Sequence, residues 1–436
     1  MARFFYTLAV LALLPWAVLH LLWRARRQPE YLRHWGERFG RVAPKHCLLP
    51  AEPTIWLHAV SVGETRAAQP LVAALRQQYP QHRILFTHMT PTGRATSQEL
   101  FGSGVERIYL PYDTPWAMRR FLRCYRPRFG LIMETELWPN LIAACRKAGV
   151  PLCLVNARLS ERSAKRYATF PALTREALQS LSAIGAQTAA DAARLAALGA
   201  HSLTLTGNVK FDIEAPAEQL ELGRALRARC GERPVWLAAS TREGEEALIL
   251  DAWRAATAAR VVRSGIPLRD GAGNAAALLL IVPRHPQRFD AVARLALERG
   301  FHVQRRSENA LVDAATTVLV GDSMGEMFAY YAAADIAFIG GSLLDFGSQN
   351  LIEAAACGTP ILIGPSTRNF ADVAREALAC GAARTIVDAG DLVQQAIGLL
   401  SDAESRRAMG LAGRAFAERH RGATARTLEL ITAAVR

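Results

Sequence analysis

From Ile55 onward the chain alternates short, continuously apolar runs with longer stretches whose apolar residues recur every three or four positions. The runs Ile55–Val60, Ile84–Thr87, Arg107–Leu110, Leu131–Met133, Leu152–Val155 and Ser182–Ala186 predict strands buried on both faces. Glu64–Tyr79, Thr92–Phe101, Pro115–Tyr125, Pro139–Ala148 and Asp191–Leu198 predict the helices between them. Such alternation builds a parallel sheet covered on both sides. The pattern pauses over 212–233, a polar stretch that reads as a hinge. A second series follows, with strands at Val235–Ala239, Leu278–Val282, Val318–Val320, Ile336–Ile339 and Ile361–Ile363. Its helices start near Glu243, Gln287, Met324, Asn350 and Phe370. The expectation is an α/β chain of two Rossmann-like, doubly wound domains facing a cleft. They fall at 28–212 and 234–415, joined by a linker at 213–233, with a terminal helix over 416–436 packing back towards the first. Gly265–Ala276 is a turn-rich insertion to which no chemistry is assigned.

Phe4 to Trp23 is a different kind of segment, uncharged throughout and broken only by Thr7, Pro15 and His20. A helix of that length rises about 30 Å, the thickness of a bilayer's hydrocarbon core. No small-residue cleavage site follows it. Residues 1–27 are therefore expected to be a membrane anchor, either spanning the bilayer or lying in its plane. The arginines that follow would keep the bulk of the chain on the cytoplasmic side. Residues 1–45 carry eight basic side chains against Glu30 and Glu37, nearly half of a net charge of +13. Arg24–Lys45, interleaved with Tyr31, Trp35 and Phe39, either binds anionic headgroups as a flank or helps receive an anionic lipid substrate. Membrane lipids are thus the partner expected for residues 4–45.

Composition narrows the classes. With 51% hydrophobic and 21% charged residues over 436 positions, a disordered chain is excluded. Seven scattered cysteines without C-x-x-C spacing argue against a disulfide framework or a zinc cluster, and fit a reducing compartment. No G-x-G-x-x-G follows the first strand of either half, and neither a P-loop nor a D-x-D metal signature occurs. Nucleic acid is not an expected partner, since much of the excess charge is juxtamembrane and no base-stacking motif accompanies it.

In open α/β sheets ligands sit beyond the carboxyl ends of the strands. After the first run, Ser61-Val62-Gly63-Glu64 turns into a helix; Glu64 either complements the helix dipole or serves as a general base. Glu134-Thr135-Glu136-Leu137-Trp138-Pro139 puts two carboxylates at a strand end, of which alternation requires only one to face the ligand. Arg158, Arg162, Lys165 and Arg166 form either an anion-binding run or a solvated helix face, with Ser160 as N-cap. Thr206-Gly207-Asn208-Val209-Lys210 closes the first domain with a lone lysine. In the second, Arg284 and His285 stand between Pro283 and Pro286, a rigid setting suited to a phosphate. Gly321–Glu326 and Gly340–Glu353 are glycine-rich turns into helices, and together they point to a nucleotide donor.

At these residues the chain resembles the 3-deoxy-D-manno-octulosonic acid (Kdo) transferases of lipid A biosynthesis. The blocks are HAVSVGE (58–64), MTPTGR (89–94), YLPYD (109–113), METELWPN (133–140), NARLSERS (156–163), TGNVKFD (206–212), PRHP (283–286), GDSMGE (321–326) and GGSL…QNLIEAAA (340–356). The resemblance implies a GT-B glycosyltransferase that inverts configuration, needs no metal or cofactor, and sits on the inner membrane. It implies CMP-Kdo as donor and the tetraacyl lipid A precursor, lipid IVA, as acceptor. It makes Glu64 the proton acceptor and Glu134 and Lys210 transition-state stabilisers. CMP contacts carry over to Arg284, His285, Met324, Gly325, Glu326, Asn350, Leu351, Ile352 and Glu353. Ser61, Gly63, Arg158 and Arg162 are the acceptor or anion-binding candidates. The loop reads FGSQN where the family often has paired glycines, which bears on the geometry of the phosphate turn. The alternatives in other classes are a nucleotide-sugar isomerase of the same fold and a membrane-tethered scaffold that keeps only the nucleotide pocket.

Overall fold

The computed structural model describes residues 1–26, 28–41, 52–212, 215–264 and 277–435, with only the backbone of 259–264. Lys45 of the basic flank and the Gly265–Ala276 insertion lie outside the described residues. Two compact units form: Met1–Asp212 with His420–Arg436, and Ile213–Arg419.

The first unit holds seven parallel strands: β1 (Thr54–His58), β2 (Arg83–His88), β3 (Glu106–Tyr109), β4 (Pro127–Met133), β5 (Leu152–Ala157), β6 (Ala183–Ala186) and β7 (Leu203–Leu205). Their order is β3-β2-β1-β4-β5-β6-β7. Strand alternation sends Trp56, Leu85, Ile132 and Leu154 into one core layer and Leu57, Phe86, Leu131 and Val155 into the other. The second unit repeats the plan with β8 (Val235–Thr241), β9 (Leu278–Pro283), β10 (Val303–Arg305), β11 (Val318–Val320), β12 (Ile336–Ile339), β13 (Ile361–Ile363) and β14 (Ala383–Thr385), ordered β10-β11-β9-β8-β12-β13-β14. The direction of winding reverses between β1 and β4 and again between β8 and β12. Loops leaving those strands splay apart there and leave a ligand crevice.

Several elements differ from expectation. The helix read over Glu64–Tyr79 is two, Val62–Ala67 and Gln69–Gln78. Pro70 has no N–H to offer and its ring crowds the preceding turn. The polar stretch read as a linker contains a helix, Ala217–Arg229, with Gly223 and Leu226 buried. A Cβ on Gly223 would come within 2.6 Å of Ala332 Cβ, so the glycine permits the close approach of the Met327–Ala333 helix. The last helix, Ala423–Ala434, belongs to the first unit. There Asp212 Oδ1 accepts from the N–H groups of Gly422 (2.6 Å) and Ala423 (3.3 Å). Cys124 carries a disulfide, which departs from the expectation of an entirely reduced chain. Cys145, Cys153, Cys230, Cys357 and Cys380 are free.

The apolar start is one helix, Ala2–Ala25. Among the described residues it is the one helix long and apolar enough to cross a membrane.

Candidate active site

Ser61 caps the helix after β1, and Glu64 stands three residues on, the spacing of a capping box. Ser61 Oγ accepts from the Glu64 N–H at 3.3 Å and donates to Glu64 Oε1 at 2.9 Å. The Val60 N–H donates to Oε2 at 2.7 Å. The carboxylate is 8% exposed. Gly63 faces open space, since a Cβ there would meet only Ser61 Oγ at 3.8 Å.

Across the winding reversal, Glu134 leaves β4 with φ +57°, a left-handed backbone that costs a non-glycine residue about 1–2 kcal/mol. That turn breaks the strand alternation, and Glu134 and Glu136 both come within electrostatic reach of Glu64. The expectation that only one of the pair need face inward rested on an extended chain, which Glu134 does not keep. Lys210 Nζ donates to Glu134 Oε1 at 3.3 Å. Lys210 sits on a turn built by two asparagines: Asn208 Oδ1 accepts from its N–H at 3.0 Å, and the buried Asn156 Oδ1 accepts from Val209 N–H at 3.1 Å. Asn156 is itself held at φ +54°.

Burial raises the proton affinity of Glu64; the Val60 and Ser61 hydrogen bonds oppose it, Glu134 adds to it, and Lys210 lowers it. Burial, then the negative Glu64 and Glu134, push the Glu136 carboxyl to about 7. The result is a carboxylate cluster with one lysine, in which Glu64 favours a proton more than an exposed glutamate does. Thr135 Oγ1 donates to the Arg158 carbonyl, tying this loop to the one after β5. Arg158 is half-buried, whereas Arg162, Lys165 and Arg166 lie exposed on the helix Glu161–Ala168.

In the second unit, cations gather at the ends of β8 and β9. Arg242 Nη1 lies 2.9 Å from His285 Nε2, and Arg284 Nε donates to Gln349 Oε1 at 3.2 Å. Burial lowers the His285 pKa, and Arg242, Arg284 and Arg288 lower it further. Arg288 is itself paired with Glu246 at 3.2 Å, while Arg242 and Arg284 stand beside the imidazole, the chemistry that suits an anion. The loop after β12 is held from beneath by Glu245, which is fully buried. Its Oε2 accepts from the N–H groups of Arg242 (2.8 Å) and Gly341 (2.7 Å), and its Oε1 from those of Leu343 (3.0 Å) and Leu344 (3.4 Å). Ser348, standing where the resemblance led us to look for glycine, keeps φ +70°; the left-handed turn survives the substitution. Asn350 donates from Nδ2 to Glu353 Oε1 (3.1 Å) and accepts from Ile352 N–H (3.0 Å). Leu351 and Ile352 are fully buried, and the Ile352 N–H is already taken by Asn350. Gly325 turns at φ +78° beside the exposed Met324, and Glu326 accepts from Ser323 Oγ at 2.6 Å.

Residues 33–213 match the family model of 3-deoxy-D-manno-octulosonic-acid transferases (kdotransferases), and 298–416 match that of group 1 glycosyl transferases. A 3-deoxy-D-manno-octulosonic acid transferase of Bordetella pertussis is 45% identical, over 99% of this chain and 99% of its own. The chain belongs to the Kdo transferase family. A second member, from Haemophilus influenzae, is 38% identical over 99% of this chain and 98% of its own. Among solved structures, a glycosyltransferase from Rickettsia africae covers 89% of this chain and 100% of its own with a TM-score of 0.56 and 12% identity, a likeness of fold. This Kdo transferase is therefore an enzyme of lipopolysaccharide biosynthesis with the GT-B glycosyltransferase fold. Sequence reasoning named Glu136 only as the alternative to Glu134, and passed over the roles of Asn156, Arg242 and Glu245. Arg242 and Glu245 directly follow a central strand, so the rule that singled out Glu64 would have found them too.

Proposed function

We propose that this Kdo transferase moves Kdo from CMP-Kdo to lipid IVA by a single inverting displacement, with Glu64 as general base. The observation that carries the assignment is the Glu64 carboxylate: buried at the winding reversal, fixed by two hydrogen bonds and raised in proton affinity, one residue after the exposed Gly63. A base of raised pKa accepts a proton from an alcohol more readily than an ordinary carboxylate does. Glu64 takes the proton of an acceptor sugar hydroxyl. The freed oxygen bonds to the anomeric carbon of Kdo, the carbon–oxygen bond to phosphate breaks, and CMP leaves with the electron pair.

Lys210 and Glu134 stabilise charge developing at the reacting carbon. Arg284 and His285 neutralise the leaving phosphate, helped by Arg242. The turns at Met324–Glu326 and Asn350–Glu353 hold the nucleotide, with the buried Leu351 and Ile352 shaping the second turn. Ser61 and Gly63 shape the acceptor side, and Arg158 with Arg162 meets the acceptor's phosphates. The reaction draws on no metal or cofactor. The Ala2–Ala25 helix attaches the enzyme to the inner membrane with both units on the cytoplasmic side, where the acceptor's lipid chains are anchored.

The test is Glu64→Gln, which preserves shape and removes the base. Incubation with CMP-Kdo and lipid IVA, with the product weighed by mass spectrometry, should show transfer reduced about 10²–10⁴-fold while CMP still binds. Near-normal transfer by the variant would refute the assignment.

A further inference from the structure

We propose that the Ala2–Ala25 helix does not cross the bilayer but lies along one leaflet with anionic headgroups, docked sideways on the catalytic unit. The proposal rests on the membrane attachment argued above and adds its geometry. The first observation is at the beginning of the helix. Tyr6 OH donates to Asp113 Oδ2 at 2.9 Å, Thr7 Oγ1 donates to Asn140 Oδ1 at 3.0 Å, and Arg3 pairs with Glu176 at 3.1 Å. Asp113 is no stray surface acceptor. It is 2% exposed, and it also accepts from the N–H groups of Asn140 (3.0 Å) and Leu141 (2.8 Å), capping the helix Pro139–Ala148 that follows the Glu134 loop.

The second observation is at the other end. Leu21 and Ala25 pack on Tyr31, with the Arg24 guanidinium 4.5 Å above its ring. The chain then returns to the same unit, where the Arg38 carbonyl accepts from Tyr112 N–H, 2.8 Å away. Residues on both flanks of the helix thus bind neighbouring positions, Asp113 and Tyr112. From Tyr6 to Ala25 a helix rises about 28 Å, nearly the full hydrocarbon core of about 30 Å. A spanning helix would carry Tyr6 to the face opposite the catalytic unit, and its bonds to Asp113 could not form.

The third observation is the division of the helix surface. At 100° per residue, Tyr6, Val10, Leu14, Ala17, Leu21 and Ala25 share one face, and all are buried or half-buried. Phe4, Phe5, Leu8, Trp16, Leu19 and Trp23 share the opposite face and are exposed, each by 48% or more. An apolar stripe of this length, ending in two tryptophans, is the surface of a helix seated at headgroup depth. Arg24, Arg26, Arg33 and Arg41 are exposed beside it, which selects an anionic leaflet. Because the docked end meets the helix that follows the Glu134 loop, this seating brings the acidic cluster towards the lipid surface from which the acceptor's sugar projects.

The experiment places one new cysteine at a time in the full chain, Ala2→Cys at the helix start and Gln81→Cys on an exposed turn of the same unit. Membranes are prepared right side out and inverted, and treated with a membrane-impermeant maleimide against the parent chain as background. Labelling of both new thiols from the same face, and loss of labelling of both from the other, is the expected result. Labelling of Ala2→Cys and Gln81→Cys from opposite faces would overturn the in-plane geometry and leave membrane attachment standing. A chain that remains in the supernatant when the membranes are pelleted would overturn the attachment itself.

Discussion

Glu245 offers a sharp test of how the second unit is assembled, because its fully buried carboxylate is the acceptor for four main-chain N–H groups from two loops. In Glu245→Gln one oxygen remains an acceptor and the other becomes a donor. If the amide replaces Oε2, the N–H groups of Arg242 and Gly341 lose their partner; if it replaces Oε1, those of Leu343 and Leu344 do, and the Leu344 bond, at 3.4 Å, is the longest of the four. An unpaired buried donor costs about 1–3 kcal/mol, so the variant adopts the second arrangement, which gives up one short and one long bond, at about that cost. Relief from burying a charge offsets part of it, since burial already raises the Glu245 pKa against its hydrogen bonds. A net loss of about 1–3 kcal/mol lowers the melting temperature by roughly 2–12 °C for a unit of this size. The same loop leads into Asn350 and Glu353, so where the loss appears in binding, CMP affinity falls about five- to a hundredfold. Calorimetric melting and CMP titration of the two proteins measure both quantities. A variant that melts with the parent and binds CMP equally well would show that Glu245 does not organise the loop.

Lys210→Met should lower turnover and move the acid limb of the pH–rate profile upward, because Lys210 holds the Glu64 pKa down; Glu134→Gln should move that limb downward, because Glu134 raises it. Identical limbs in both variants would separate these residues from the base. Glu136 has a folded pKa of about 7, above the ordinary carboxylate value of about 4.5, so its protonated form is favoured in the native state. Its contribution to stability is complete below about 4.5 and is lost as pH rises through about 7, amounting to at most about 3 kcal/mol. Urea unfolding should therefore show Glu136→Gln gaining on the parent between pH 5 and pH 8, and a pH-independent difference would contradict the buried cluster. Chelation with EDTA should leave Kdo transfer unchanged; a loss restored by added magnesium would refute a metal-free reaction.

The central strands were legible because strands covered on both faces must be apolar throughout, and Ile55–Leu57 or Leu278–Val282 read as nothing else. The edges were not. β7, β10 and β14 have three residues each and include Thr204, Gln304, Arg305 and Arg384, because an edge strand need not bury both faces. The helix Ala217–Arg229 escaped notice for a related reason. Its buried stripe is narrow, and one of its members is Gly223, which contributes contact by absence of a side chain. At the site, spacing alone left Glu64 divided between complementing the helix dipole and acting as a base. The two are compatible in the structure, since Ser61 caps the helix while bonding the carboxylate that Glu134 and Lys210 tune. The left-handed turn at Glu134 could not be read at all, because nothing in a glutamate's identity announces positive φ.

The two units set a carboxylate at matching places and use it differently. Glu64 follows Ser61 by three residues after β1, and Glu245 follows Arg242 by three after β8; each strand lies beside the winding reversal of its sheet. Glu245 is bound by four main-chain N–H groups, donors that cannot turn away, and it is sealed from solvent. Taking a proton would cost it several charge-assisted bonds at once, so it serves as a fixed anchor. Glu64 has one main-chain donor on Oε2, while Oε1 is held only by a serine hydroxyl, which can rotate to accept instead of donate. That oxygen can gain a proton without leaving any donor stranded. The number and rigidity of the donors, more than burial, separates the proposed base from the brace.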